Sequence, residues 1–272
     1  MIINITQHCT LKCPHCMQCA GPERTEFMSK EMFLKALEFA KNINSHVLSI
    51  SGGEPTSHPL FFEFLEAALN SGMLSVSVLS NGTFLRDHAF TERFAYMVKG
   101  NDNFFMQISS FKELYANYDE MHKPNMKGLR LFGKKVVVCD ETNTDMKMKP
   151  LGRACSGKWY EEAKQVNGFP SCANSCLILA QSLQHRNLGV GMLMEMHQRF
   201  CLPIVSFDGS IRLGEAEQCK VVANITDSLE EINDKLFSFR PCGGCESYKW
   251  HLQNPSTIQE KAVCNVLWPD KK

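Results

Sequence analysis

Residues 1–140 alternate between strand-like runs and helical stripes, and few folds accommodate that order. Ile2, Ile3 and Ile5 mark a first strand in residues 1–6. Residues 28–42 carry Met28, Met32, Phe33, Ala36, Leu37 and Ala40 at helical spacing. A strand follows at 46–50. The stretch 59–71 reads as a helix, with Pro59 in its first turn and Gly72 at its end. Its buried face is Leu60, Phe61, Phe64, Leu65, Ala68 and Leu69. Residues 76–79 form a strand. Residues 86–98 form a helix with Phe90, Phe94 and Met97 inward, stopped at Gly100. Strands at 104–108 and 135–138 complete the series. Parallel strands need crossover connections, so this order predicts an α/β fold on a parallel sheet. Five units are too few to close an eight-stranded barrel. The expected architecture is a partial, open parallel β/α barrel.

Beyond about Asp140 the pattern changes, and cysteines stand at 155, 172, 176, 201, 219, 242, 245 and 264. With 272 residues the chain can hold one large domain plus an appendage. We divide it into residues 1–200, the barrel and a connecting segment, and residues 201–272, a small domain that needs metal because it can hardly bury a core of its own. Lysine plus arginine equals aspartate plus glutamate at 29 each, so net charge argues for neither nucleic acid nor an anionic membrane as partner. No apolar run approaches the ~20 residues of a bilayer span. Residues 1–10 lack the basic and apolar regions of a secretory signal. A cytoplasmic location is expected. There the thirteen cysteines stay reduced, and clustered reduced cysteines point to metal.

Cys9, Cys13, Cys16 and Cys19 share one loop directly after the first strand. If all four bind iron, the cluster is saturated and only carries electrons. If three bind, one iron keeps the open position that a catalytic metal needs. A zinc knuckle is the third possibility. Ferredoxin spacing fits poorly: the gaps are three, two and two residues, and Ala20 rather than proline follows Cys19.

Cys9, Cys13 and Cys16 form C-x3-C-x2-C, which resembles the signature of the radical S-adenosylmethionine (radical SAM) superfamily. His15 occupies the place before the last cysteine that is usually aromatic in that family. The resemblance implies a 4Fe-4S cluster on three thiolates, with S-adenosylmethionine chelating the fourth iron. It also implies reductive cleavage of that cofactor to a 5′-deoxyadenosyl radical that abstracts hydrogen from a substrate.

Other polar groups fall at predicted strand ends, where barrels of this kind build their sites. Gly52, Gly53 and Glu54 follow the second strand, Ser80 and Asn81 the third, and Ser109 ends the fourth. Paired glycines permit close backbone approach to a ligand, and Glu54 can accept from an ammonium group. Read blandly, Gly-Gly and Asn-Gly are turns. By resemblance, Gly52-Gly53-Glu54 is the family's GGE motif, which contacts the methionyl amino group, while Ser80, Asn81 and Ser109 match less specific contacts to ribose or carboxylate. Residues 151–154 resemble a Gly-Arg-Ala loop found after the barrel in several such enzymes, with Arg153 facing a carboxylate or simply solvent.

Cys201 and Cys219 are seventeen residues apart and flank a predicted hairpin turning at Asp208-Gly209 between Ile204, Val205, Ile211 and Leu213. Cys242 and Cys245 form C-x2-C. Four such thiolates can surround a structural zinc. They also resemble the family's SPASM auxiliary domain and its shorter twitch form. Residues 246–253 contain no cysteine, which favours twitch, with one auxiliary 4Fe-4S cluster on Cys201, Cys219, Cys242 and Cys245. Cys139 and Cys264 read as buried packing. Cys155, Cys172 and Cys176 stay open. Met192, Met194 and Met196 read as packing.

The implied function is a net oxidative modification, drawing electrons from an external donor such as flavodoxin or ferredoxin. A peptide substrate is slightly favoured on family frequency. A small molecule is the alternative, since the sequence opens on its first strand without a leader-peptide-binding domain ahead of it. A non-catalytic iron–sulfur carrier and a zinc-bound module are the rivals. The open-iron assignment predicts that Cys19→Ala keeps its N-terminal cluster, measured as iron content and charge-transfer absorption after anaerobic reconstitution. A saturated carrier loses it.

Overall fold

A computed structural model describes residues 1–139 except 14, 15, 17, 44, 46, 113, 114, 116 and 117, together with residues 204–212 and 221–238. The strands are β1 (Ile2–Asn4), β2 (Val47–Ser51), β3 (Ser75–Ser80), β4 (Phe104–Ser109), β5 (Val136–Cys139), β6 (Ile204–Val205), β7 (Ser210–Arg212) and β8 (Val221–Asn224). The helices are α1 (Lys30–Asn42), α2 (Phe61–Leu69), α3 (His88–Val98) and α4 (Leu229–Ser238). All eight strands join one sheet in the order β5-β4-β3-β2-β1-β6-β7-β8. The strands from β5 across to β6 run parallel, and β7 and β8 add antiparallel. The expected α/β class with a parallel sheet is what forms. The linear strand order leaves β5 and β8 as opposite edges.

Helix starts follow capping chemistry rather than the apolar stripe. The Ser29 hydroxyl accepts from Met32 N–H at 3.1 Å, so α1 begins at Lys30 while Met28 stays extended and bonds to Ile5 O. Asp87 accepts from Phe90 N–H at 3.0 Å and starts α3 after a tight turn at Thr83–Arg86. The predicted hairpin is present: Ile204 pairs with Arg212 and Val205 with Ile211 across the Asp208-Gly209 turn. It lies against β1, with Ile2 beside Ile204. The cysteines at 201, 219, 242 and 245 lie outside the described residues, as do 155, 172, 176 and 264. Cys139, expected as buried packing, is only half-buried at the end of β5.

The two sheet faces differ in chemistry. Ile3, Ile5, Leu48, Ile50, Val76, Val78, Phe104, Met106 and Ile108 join Phe33, Leu37, Phe61, Phe64 and Phe94 of the helices in one buried cluster. Strand geometry sends their neighbours to the opposite face. Those neighbours are a mixed set, Asn4, Ser49, Ser51, Ser75, Ser77, Gln107 and Ser109 together with the apolar Ile2, Val47, Leu79 and Phe105. Fully covered parallel strands usually read as continuous apolar runs, whereas β3 here is Ser-Val-Ser-Val-Leu-Ser. Asn4, Ser49, Ser75 and Ser77 are nevertheless buried, and Ser49 and Ser77 share a 2.7 Å hydroxyl–hydroxyl bond across the sheet.

Aromatic packing anchors the helical layer. Phe33 of α1 stacks on Phe64 of α2 with centroids 4.2 Å apart. Phe94 of α3 stands 5.1 Å from Phe61, 5.5 Å from Phe84, 5.9 Å from Phe104 and 5.2 Å from Phe132, mostly edge to face. Phe94→Ala is expected to destabilise the protein by about 3–5 kcal/mol, read as a lower urea midpoint at an unchanged m-value.

Candidate active site

Because β1 to β5 run parallel, their carboxyl ends share one rim, and the polar groups singled out in the sequence gather there. The loop that follows β1 is pinched at its base. Cys9 N–H donates to Gly21 O at 3.1 Å, Gly21 N–H to Gln7 O at 3.3 Å, and Gln7 N–H to Glu26 O at 3.2 Å. His8 Nδ1 bonds to Arg24 O at 2.8 Å. Inside the loop, Cys16 N–H donates to Cys13 O and Cys19 N–H to Cys16 O. Cys9 is 8% exposed, whereas Cys13, Cys16 and Cys19 are half-buried. Cys19 adopts a left-handed backbone, φ 51°. His15 lies outside the described residues.

The paired glycines do permit a close approach, but to the chain's own backbone. A Cβ on Gly52 would stand 2.4 Å from Thr6 O, and one on Gly53 2.3 Å from His8 O. Those spaces are taken because the turn after β2 hydrogen-bonds to the start of the cysteine loop: Gly53 N–H to Thr6 O at 2.7 Å and Glu54 N–H to His8 O at 2.8 Å. Gly52 also holds φ 140°, which a side chain resists. The Gly-Gly pair is therefore the latch that fixes the cysteine loop over the rim.

Glu54 is 0% exposed. Its Oε1 accepts from Thr56 N–H at 3.2 Å, the Thr56 hydroxyl at 2.5 Å and the Ser80 hydroxyl at 2.8 Å, and its Oε2 accepts from Asn81 N–H at 2.8 Å. Burial raises its carboxyl above the ordinary range despite these donors. The carboxylate thus ties the end of β2 to the end of β3. The Ser80 hydroxyl is also engaged by Gly82 N–H at 3.0 Å. The Asn81 side-chain oxygen accepts from Thr83 N–H and its hydroxyl, and the amide nitrogen points at Cys9 Sγ, 3.5 Å, and Thr10 Oγ1, 3.2 Å.

Two residues not singled out in the sequence complete the rim. Tyr115 donates its hydroxyl to the carbonyls of Asn81 and Ser109, bridging the ends of β3 and β4. His122 stacks on the Tyr115 ring with centroids 3.8 Å apart and bonds Ser110 Oγ through Nε2 at 3.3 Å. Burial, and then the charge of Arg86, push His122 down to about 4, so it is neutral at physiological pH. Neither residue sits in a recognisable spacing. The signal that could have found them is the aromatic and histidine content of residues 115–122, directly after a strand end.

The sequence model of the radical SAM superfamily matches residues 3–131. Residues 3–131 are a radical SAM domain. The chain is 28% identical over 128 residues to YydG of Bacillus subtilis (strain 168), named for peptide biosynthesis, across 46% of this chain and 37% of that protein. It is 30% identical over 91 residues to the GTP 3',8-cyclase of Desulforamulus reducens, across 32% of this chain and 28% of that protein. The chain thus spans well under half the length of these curated relatives. Its fold is similar to that of BtrN, solved in complex with AdoMet and 2-DOIA, with a TM-score of 0.51 and 15% identity over 88% of this chain and 84% of that one.

A radical SAM domain implies a 4Fe-4S cluster and S-adenosylmethionine. The rim suits such a cluster in donor chemistry. Burial pushes the Cys9 thiol up to about 12, with smaller pushes from Glu54, Cys13 and Cys16, against the Leu11 N–H that lowers it. A buried thiol beside two others is a soft donor set for iron. Leu11 N–H at 3.4 Å and the Asn81 amide at 3.5 Å point at Cys9 Sγ, as donors do at cluster ligands. Among the described residues no three His, Cys, Asp or Glu side chains, these thiols included, are already drawn into a metal-holding group.

Gly53→Ala tests the latch. The added methyl displaces the cysteine loop from His8 O, and the variant is expected to fold but to retain less than half the wild-type iron after reconstitution and desalting.

Proposed function

We propose that this chain is a radical SAM enzyme carrying out a net oxidative modification, with a peptide substrate slightly favoured. The observation that carries the reading is the Cys9–Cys13–Cys16 loop, held over the strand ends of a radical SAM domain by Gly52 and Gly53. Bound by Cys9, Cys13 and Cys16, a 4Fe-4S cluster would supply the one-electron reduction that cleaves S-adenosylmethionine and so enables hydrogen abstraction from a substrate.

In this reading Cys9, Cys13 and Cys16 are the cluster ligands. Gly52, Gly53, Glu54, Ser80, Asn81 and Ser109, with His15 beside the last ligand, line the place of S-adenosylmethionine. For Glu54, Ser80 and Asn81 the internal hydrogen bonds favour shaping that place through the backbone they hold. The polar sheet face below the rim supports a hydrogen-bonding substrate. Asn4 Oδ1, at the carboxyl end of β1, is buried there without a hydrogen-bond partner among the described residues, and buried polar groups normally have one. Cys201, Cys219, Cys242 and Cys245 are assigned to one auxiliary cluster of the twitch type in residues 201–272. It would take an electron from the substrate radical, while an external donor such as flavodoxin or ferredoxin would reduce the N-terminal cluster.

The peptide preference is supported by the likeness to YydG, which extends over 128 residues of this chain. A small-molecule substrate is the second reading, supported by the likeness to the GTP 3',8-cyclase over 91 residues. The test is anaerobic reconstitution, dithionite reduction, addition of S-adenosylmethionine and chromatography for 5′-deoxyadenosine. Formation of 5′-deoxyadenosine, abolished in Cys13→Ala, is the expected result. A fully loaded protein whose cluster spectrum does not respond to S-adenosylmethionine and which forms no 5′-deoxyadenosine would favour the electron-carrier reading instead.

A further inference from the structure

We propose that Asn81 tunes the reduction potential of the cluster by donating its side-chain amide to the Cys9 sulfur. The inference rests on the cluster assignment above and concerns how hard that cluster is to reduce.

The amide is positioned for this role from every side. Its oxygen is engaged by Thr83 N–H at 2.9 Å and the Thr83 hydroxyl at 2.8 Å, which fixes the orientation of the group and leaves the NH2 facing the cysteine loop. The NH2 then reaches Cys9 Sγ at 3.5 Å and Thr10 Oγ1 at 3.2 Å. Thr10 Oγ1 is itself bonded to Thr83 Oγ1 at 2.7 Å, closing a ring of side chains between the loop and the end of β3. The Asn81 backbone is held equally firmly. Its N–H donates to the buried Glu54 carboxylate at 2.8 Å, and its carbonyl accepts the Tyr115 hydroxyl. Neither the backbone nor the amide plane can turn away without breaking one of these hydrogen bonds.

The physical consequence follows from charge. Reduction adds an electron that is shared onto the ligand sulfurs, so an N–H donor stabilises the reduced form more than the oxidised form. Hydrogen bonds to the sulfurs are among the levers that set iron–sulfur potentials. Cys9 is the most buried of the loop thiols, where water competes least and a hydrogen bond is electrostatically stronger. Removing this donor should disfavour the reduced cluster by about tenfold in the reduction equilibrium, which for one electron is ~59 mV toward more negative potential.

The experiment is an EPR-monitored redox titration of the reconstituted wild type and Asn81→Ala, without S-adenosylmethionine, together with hyperfine spectroscopy of the reduced wild-type cluster in H2O and D2O. The proposal expects equal iron loading, a more negative midpoint in Asn81→Ala, and an exchangeable-proton coupling in the wild type that the variant lacks. An unchanged midpoint at equal loading overturns it. If Asn81→Ala fails to load, the wild-type spectra decide, and absence of an exchangeable-proton coupling beyond the one that Leu11 N–H supplies overturns it as well. A wild-type protein that assembles no 4Fe-4S cluster on these cysteines removes both this inference and the function above, whereas a cluster indifferent to Asn81 removes this inference alone.

Discussion

The turn after β2 lies directly on the backbone that leads into the cysteine loop, and the rest of the rim depends on that contact. Thr6 and His8 turn their carbonyls toward residues 52–54, where Gly53 and Glu54 donate N–H groups to them. Such closeness requires two consecutive positions without side chains, because any Cβ would stand under 3 Å from a carbonyl oxygen. A loop carrying several thiols otherwise has little reason to hold a shape, since it buries almost no apolar surface. Cross-strand hydrogen bonds supply what packing cannot. They register the loop against β2, and through the Glu54 carboxylate the constraint passes to Ser80 and Asn81 at the end of β3. Tyr115 extends it to Ser109 at the end of β4.

This chain of contacts gives Glu54 a meaning different from that of a surface carboxylate awaiting a ligand. It is fully buried, and each oxygen is engaged within the protein. A buried carboxylate is tolerated only when such donors surround it. The same arrangement places its charge near Cys9, where it disfavours a free thiolate. A cationic metal centre among the three thiols would offset that effect, so the surroundings of Cys9 suit a metal-bound sulfur better than a free thiolate.

The sheet repeats the logic on a larger scale. Its helix-facing side is a continuous apolar layer built on stacked phenylalanines. Its other side mixes serines, Asn4 and Gln107 with Ile2, Val47, Leu79 and Phe105. The apolar side supplies the stability, and the polar side is left available for chemistry below the rim.

Much of this was legible in the sequence. Helical stripes and β-branched runs predict β1 to β5 and α1 to α3 within about two residues, because burial of one face imposes its period on the residues, whereas the helical turns over Tyr118–His122 and Asn125–Lys135 are not foreseen. The hairpin at Asp208-Gly209 is equally plain. The three cysteines and the Gly-Gly-Glu turn announce themselves by spacing. What the one-dimensional pattern does not carry is the partner of each group. Paired glycines signal that something comes close, yet only the packed chain shows that it is the carbonyls of Thr6 and His8. Asn81 reads as half of an Asn-Gly turn until folding brings it 3.5 Å from a sulfur seventy-two positions earlier in the chain. Tyr115 and His122 have no local signature, because their role is set by which strand ends meet in space. The sequence by itself determined the elements, their order and the chemistry available at each strand end. Only the tertiary structure decided which of those groups face one another, since long-range hydrogen bonds depend on strand register and loop closure rather than on spacing along the chain.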